Sequence, residues 1–255
     1  MNDLRGIYAI WLRELKVYFR EYSRIIGSVL TPLLWLLIVG KGIGASIGSD
    51  SFQGVAYSHF IFPGILCMTV LFQSVFYGLY IVWDRKIDFL KEVLASPLNR
   101  SSIFIGKVLG GVTDSMIQVS IILFMGHFLF EDLVYTPYSI FLTYVFLFLL
   151  AVAMTSIGLI IGSRMESTEG FSLVTSLVVF PMYFLSGALF LKDNLPTTLY
   201  YAAVVNPVSY AVDAIRFAMI PQFEEFGLIT DFIVLSVLCL VLICIGTWFF
   251  KTMKL

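Results

Sequence analysis

The sequence predicts an all-α, polytopic membrane helical bundle, and three observations carry that expectation. Of the 255 residues, 59% are hydrophobic and only 13% charged, far from the roughly 45–50% apolar and about 25% charged content of soluble domains. The apolar residues arrive in long runs, several exceeding the roughly 20 residues that cross a bilayer core of about 30 Å. Lys and Arg gather in alternate connections between those runs. Within lipid an unpaired backbone group is too costly, so each crossing must be helical. One transmembrane domain over 1–255 is expected, with six transmembrane helices at about 25–47, 57–83, 103–130, 138–162, 171–191 and 228–250.

Residues 1–24 come first. Charge interrupts them throughout and they contain no continuous apolar core of a signal peptide, so they are expected to stay on the mature chain. At about 100° per residue, Leu4, Ile7, Trp11, Leu15, Tyr18 and Tyr22 share one sector, while Arg5, Arg13, Lys16, Arg20 and Arg24 fall opposite. Such a helix should lie flat in a headgroup layer, either as an orientation anchor or with its cations toward phosphates or a protein partner.

Between the second and third spans, residues 84–102 are too polar for lipid. Ile87, Leu90 and Leu94 would share a helical face beside Lys91 and Glu92 until Pro97 ends the run, which gives either a short amphipathic helix or a solvated connector. Asn99, Ser101 or Ser102 could cap the helix that follows. The cations of residues 1–24, Arg85, Lys86, Lys91 and Arg100 of this loop, and Lys251 and Lys254 of the tail belong in the cytoplasm. Lys41, Lys192 and Arg216 are the sparse cations of the other side, so both termini are expected inside a multi-pass cell-membrane protein.

Residues 192–226 are longer than a bundle connection and yet apolar. Residues 200–205 and 210–219 read as two short helices around Asn206-Pro207, bounded by Pro196 and Pro221, hence a re-entrant hairpin on the outer face. Asp213 and Arg216, spaced i, i+3, could pair there. Small-residue spacings recur at Gly40, Gly44 and Gly48, at Gly106 and Gly110, and at Gly158 and Gly162, where backbones can approach closely. Pro32, Pro63 and Pro181 interrupt the first, second and fifth spans.

The chemistry is sparse. A formal net charge of −1 argues against nucleic-acid binding. Cys67, Cys239 and Cys244 lie in apolar runs without C-x-x-C spacing, so neither a disulfide framework nor a zinc site is indicated. The phosphate-loop pattern G-x-x-x-x-G-K-[ST] does not occur: Gly106-Lys107 is followed by Val108. With only His59 and His127 the chain has no H-E-x-x-H pair, and Ser186-Gly187 lacks the upstream glycine of a nucleophile elbow. No catalytic residue or metal ligand is expected. Asp114 in the third span is the intramembrane carboxylate, and Gln118 four residues on or Lys107 seven residues before could satisfy it locally. A proton relay through Asp114 is the alternative.

The order of these parts resembles the type-2 ABC exporter permeases. The likeness covers nearly the whole chain and is strongest in Lys91-Glu92-Val93-Leu94-Ala95-Ser96-Pro97-Leu98-Asn99-Arg100 with Gly106-Lys107, and in Phe184-Leu185-Ser186-Gly187-Ala188-Leu189-Phe190 through Asn206-Pro207 to Asp213 and Arg216. The resemblance implies a coupling helix in residues 84–102 that seats in a separate cytoplasmic ATPase subunit, with Leu90, Glu92, Leu94, Ser96, Pro97 and Arg100 as contacts. It implies a connecting helix in residues 1–24, with Arg13, Lys16 and Arg20 also toward the ATPase. Phe184, Gly187, Phe190, Asn206 and Pro207 would form the outer gate. Two copies would face each other, the simplest case being a homodimer, over a pathway lined by Phe72, Phe76, Tyr77, Phe180 and Tyr183. ATP and Mg would bind the partner subunit, and this chain would hold no cofactor of its own.

The stretches look most like the drug-export branch, so the implied cargo is a hydrophobic or amphiphilic molecule, drug-like or lipid-like. Lipid-linked polysaccharide export on the same fold is the rival. A secondary transporter leaning on Asp114 is the rival from another class.

Overall fold

Long apolar runs become long helices because backbone in hydrocarbon must satisfy its hydrogen bonds internally. The computed structural model describes residues 3–45, 52, 54–130, 132–191 and 195–252; residues 46–47 of the first expected span, Gly48, Lys192, Lys254 and the Arg24 side chain lie outside them. Helix α1 (Asp3–Arg20) leads into α2 (Tyr22–Trp35), which continues through a π-helical turn (Leu36–Lys41) into α3 (Gly42–Gly44). α4 (Tyr57–Phe76) and α5 (Leu79–Lys86) follow, then the short α6 (Phe89–Ala95). α7 (Arg100–Leu129), α8 (Pro137–Arg164) and α9 (Thr168–Phe184) precede α10 (Thr197–Val205), α11 (Pro207–Met219) and α12 (Leu228–Thr252).

Five segments, Ile25–Gly44, Tyr57–Lys86, Arg100–Leu129, Pro137–Arg164 and Leu228–Thr252, are long and apolar enough to cross a membrane. α9 is apolar but has only 17 residues, about 25 Å at 1.5 Å per residue. The helix expected over 171–191 therefore stops at Phe184. Its reason is local: Gly187 takes φ 75°, a conformation that favours glycine, and the Ser186 hydroxyl donates to Tyr183 O at 2.6 Å. The second segment runs to Lys86 but breaks at Tyr77 and Gly78.

α4 and α8 form the centre, where Phe60, Ile65 and Leu66 of one and Leu147, Leu150 and Met154 of the other are buried. They meet at glycine where α4 gives way to α5: a Cβ on Gly78 would collide with the Gly158 carbonyl oxygen, and one on Gly158 with Val75 O. α2 with its π-helical turn and α12 lie outside, presenting Ile26, Leu30 and Ile38, and Ile233, Val237 and Leu240. These are lipid-facing by their chemistry.

Helix starts follow local rules. Thr136 accepts from Ser139 N at 3.1 Å with Pro137 in the first turn of α8, and Ser167 accepts from Gly170 N at 2.9 Å to open α9. Asn99 occupies the cap position of α7 but its side chain goes elsewhere, donating to the Asp3 carboxylate at 2.8 and 2.9 Å. The capping role expected of it is thereby replaced by a tether to α1.

One end of the bundle gathers the cations. Arg85 donates to Ser163 O and Met165 O at the end of α8, Arg100 donates to Lys251 O, and the Arg164 guanidinium lies 4.6 Å from the Phe249 ring centroid. This is called the basic end below. The other end holds α10 and α11, with Val134 N donating to Met219 O at 3.0 Å.

Candidate functional site

At the basic end α1 packs lengthwise on the start of α7. Its buried face is Gly6, Ile10, Glu14 and Tyr18, and Leu4, Tyr8, Phe19 and Tyr22 are exposed. The single apolar sector expected of residues 1–24 is thus divided between the bundle and the lipid side. The close approach is made possible by glycines of α7: Ile10 sits against Gly106 and Glu14 against Gly110. Lys16 and Arg20 remain exposed on the third side.

Glu14 is buried because it has partners. Lys107 Nζ lies 3.0 Å from Glu14 Oε1 and 2.6 Å from Asp84 Oδ2, while Arg13 reaches Glu14 at 2.7 Å and Asp84 at 3.0 Å. Two cations and two carboxylates neutralise one another across α1, α5 and α7. Burial alone would raise the Glu14 carboxyl, but Lys107 and Arg13 outweigh it and hold its pKa below the ordinary carboxylate range. Removing one member of such a set strands a buried charge, at a cost of about 3–5 kcal/mol.

Arg13 also lies 3.9 Å from the Phe89 ring centroid, which ties α6 to the same cluster. α6 opens on Asp88 with φ 58° and closes before Pro97. Of the contacts the resemblance assigned, Leu90 and Leu94 are buried in this chain's own core; Ile87, expected on the same apolar face, precedes the helix and is 69% exposed. Glu92 and Pro97 are exposed, Ser96 donates to Val93 O at 2.6 Å, and Arg100 donates to Lys251 O at 3.1 Å. Leu90 and Leu94 therefore anchor the helix, and Lys91, Glu92, Ala95 and Pro97 form its outward surface.

Higher in the bundle α2, α4 and α9, with Gln118 of α7, line an open-sided chamber of about 520 Å³. Phe72, Phe76, Phe180, Tyr183 and Phe184 line it as one aromatic wall. Phe72 meets Phe180 edge-on at 5.3 Å and Tyr183 at 6.3 Å, and stacks with Phe76 at 6.3 Å. Thr69, Gln73 and Gln118 supply polar groups, and none of the described lining residues carries a formal charge. Tyr77 is turned away: its ring lies against Gly111 of α7 and its hydroxyl beside Glu14. Consecutive helical residues point about 100° apart, so Phe76 and Tyr77 face different neighbours.

Gly27, Ser28, Thr31, Pro32 and Trp35 of α2 complete the chamber. Sequence reasoning missed that wall, although Gly27, Thr31 and Trp35 stand at helical spacing. Asp114 is buried but outside the chamber lining, and Lys107, one of its two expected partners beside Gln118, is engaged with Glu14 and Asp84.

Above the chamber the turn after α9 is clamped. Arg216 donates to Gly187 O at 2.9 Å and Ala188 O at 3.3 Å, and its guanidinium lies 3.9 Å from the Phe60 ring centroid. Tyr57 donates to Leu189 O at 3.1 Å. Asp213 accepts from the backbone of Glu225 and Phe226 at 2.8–3.2 Å. Asp213 and Arg216, expected from spacing to pair, make no direct ion pair among the described contacts: Asp213 attracts Arg216 only through space, while each is engaged by backbone groups across the fold. Asn206 joins α11 to α9, accepting from Val208 N at 3.1 Å and donating to Met182 O at 2.5 Å, with Pro207 opening α11. Phe190 is half-buried beyond the turn.

Comparison with known proteins falls on this architecture. The family described as ABC-2 type transporter matches residues 5–220. The inner membrane transport permease YadH of Escherichia coli strain K12 is 29% identical over 245 residues, 90% of each chain. The protein named transport permease ycf38 of Cyanophora paradoxa is 31% identical over 200 residues, 78% of this chain and 68% of its own. Nodulation protein J of Rhizobium leguminosarum bv. viciae is 25% identical over 221 residues, 84% of this chain and 82% of its own.

Proposed function

The chain belongs to the ABC-2 type transporter family, and from that premise we propose that this transmembrane permease subunit exports compact hydrophobic or amphiphilic molecules, driven by a separate ATPase subunit. The observation that carries the reading is the chamber of about 520 Å³, aromatic on one side and uncharged along its described lining. A site of that size and polarity suits a small apolar cargo. Two copies are proposed to face each other through α4 and α9, so that the chamber borders the shared interface. Six crossings, with α9 as the fifth, would put both termini and the basic end in the cytoplasm.

The ATPase, which would hold ATP and Mg, is proposed to meet the outward surface of α6 and the exposed cations Lys16 and Arg20 of α1. Closure of two ATPase subunits would then be passed on as a rigid-body tilt, since the buried charges join α1, α5, α6 and α7 into one block. The uncharged chamber favours a compact cargo over a lipid-linked polysaccharide. Secondary transport through Asp114 has less support, because Asp114 is absent from the chamber lining.

The test is reconstitution with the candidate ATPase in sealed vesicles. ATP-dependent movement of a hydrophobic dye is expected, weakened by Phe72→Ala, which removes the ring that meets Phe76, Phe180 and Tyr183 in the aromatic wall. Movement driven by a proton gradient without any ATPase, and abolished by Asp114→Asn in well-folded protein, would overturn the reading.

A further inference from the structure

The α2 wall of the chamber differs in chemistry from its aromatic wall. Ser28, Thr31, Pro32 and Trp35 stand on it at helical spacing. Proline has no backbone N–H, so Pro32 withholds from the Ser28 carbonyl the donor that a helix supplies four residues on. A helical carbonyl points along the axis toward that residue. Ser28 and Pro32 both border the chamber, so the released oxygen lies on the chamber side of α2. In hydrocarbon such a group is commonly re-satisfied by a neighbouring hydroxyl. Here the two hydroxyls of that face are committed elsewhere: Ser28 Oγ donates to Ile25 O at 2.9 Å, and Thr31 Oγ1 to Gly27 O at 2.9 Å.

The same two bonds decide what the hydroxyls can offer a guest. A hydroxyl has one proton to give and two lone pairs, and with the proton committed to the helix only lone pairs are left for the chamber. Thr69 of α4 repeats the pattern, its Oγ1 donating to Ile65 O at 2.9 Å. The Tyr183 hydroxyl is buried within electrostatic reach of Arg216 and Tyr57, on the side of the clamp. Trp35 brings one indole N–H, and the amides of Gln73 and Gln118 carry donors and acceptors alike, so they set no preference. Acceptors therefore predominate. The aromatic wall adds to them, because ring faces are negative and attract a polarised hydrogen.

We propose that the α2 wall is an acceptor site that selects cargo carrying a hydrogen-bond donor, a hydroxyl or an N–H on an apolar body. The donor hydrogen meets the Ser28 carbonyl and the lone pairs of Ser28 and Thr31, and the apolar body lies along the aromatic wall. Pro32 makes the site, since any other residue there would supply an N–H and close the carbonyl onto its own helix. The proposal rests on the reading of the chamber as the transport path and adds to it the class of cargo.

The experiment measures equilibrium binding to the full chain in lipid nanodiscs, with partition into empty nanodiscs subtracted. The probes are an apolar phenol with its methyl ether, and an anilide with its N-methyl derivative, so that each pair keeps its body and loses only its donor. Phenol and anilide are each expected to bind about fivefold more tightly than their methylated partners, the scale of one net hydrogen bond. A preference in one pair alone supports the site and names its donor. Pro32→Ala gives the Ser28 carbonyl its helical N–H back and should bring each pair of affinities together while the methylated probes still bind. If Pro32→Ala weakens those as well, Ser28→Ala combined with Thr31→Val decides, since it removes lone pairs without touching the backbone and should narrow the gap. No preference in the unmodified chain, or a preference undiminished in the deciding variant, overturns the acceptor site alone, because the methylated probes still report the chamber. If no probe binds beyond partition, or Phe72→Ala weakens none of them, the chamber reading fails and the acceptor site falls with it.

Discussion

The Lys107 ammonium is fully enclosed by Glu14 and Asp84 at 3.0 and 2.6 Å. Lys107→Met strands the excess negative charge of Glu14 and Asp84, and the loss of stability should be about 3–5 kcal/mol, read as a lower melting temperature in detergent. The Glu14 carboxyl has a folded pKa below its ordinary value of 4.5. Its contribution is therefore complete at neutral pH and disappears as pH falls through the depressed value. Thermal stability should be flat near neutrality and drop only in acid below about pH 4.5, with a smaller acid drop in Glu14→Gln. None of this cluster was legible as a cluster in the sequence: Glu14 and Lys107 stand 93 positions apart, and a helical wheel orders only the helix it is drawn for. One signal was present. A lysine inside an apolar run must find a partner, and the nearest carboxylate along the chain, Asp114, was the wrong candidate because the right ones lay on neighbouring helices. The aromatic wall was easier to read, since Phe72, Phe76, Phe180 and Tyr183 repeat at helical spacing on two helices that meet.

At the scale of elements, α6 separates two roles that the sequence ran together. Its amphipathic pattern correctly announced a short helix ended by Pro97, but the apolar face it revealed is the one turned inward. Leu94→Ala should lower stability by about 2–5 kcal/mol, the usual cost of emptying a buried leucine site, seen as reduced yield and earlier melting. Glu92→Lys, on the exposed side, should leave the melting temperature within about 0.5 kcal/mol of the parent while reducing co-purification of the ATPase. If Leu94→Ala and Glu92→Lys act alike on both readouts, the division of faces is wrong. α11 teaches a related lesson. Spacing on one helix suggested Asp213 and Arg216 as a pair, whereas each terminates backbone groups from another segment, because carbonyls freed where α9 ends need donors within the bundle. Arg216→Leu should loosen the turn at Gly187 and raise its protease sensitivity in detergent, a change that Arg216→Lys only partly restores.

For the molecule as a whole, membrane residence and helical class followed from composition and run length, which report the solvent directly. The packing order of the helices did not, since α2 as a chamber wall and α1 as a part of the bundle depend on which surfaces meet. α9 leaves Leu173, Leu177, Phe180 and Phe184 exposed along one side, the side proposed to face a second copy. A single cysteine placed by Leu177→Cys in a chain lacking Cys67, Cys239 and Cys244 should cross-link to a dimer in membranes, whereas Val237→Cys on α12 should not. Equal cross-linking at both positions would count against the arrangement.

The glycine contact of α8 with the junction of α4 and α5 has a mechanical consequence. At Gly78 and Gly158 two backbones touch with no side chain between them, and the helix is already interrupted there at Tyr77 and Gly78. Such a contact works as a fulcrum: it resists translation yet has no interdigitating side chains to resist rocking. The short arm on one side is α5, bearing Asp84 and leading to α6; the long arm is α4, whose 20 residues extend about 30 Å at 1.5 Å per residue. Were α4 and α5 to rock as one body about this contact, a push on the short arm would be magnified at the tip of the long one, where Phe60 supports the Arg216 clamp.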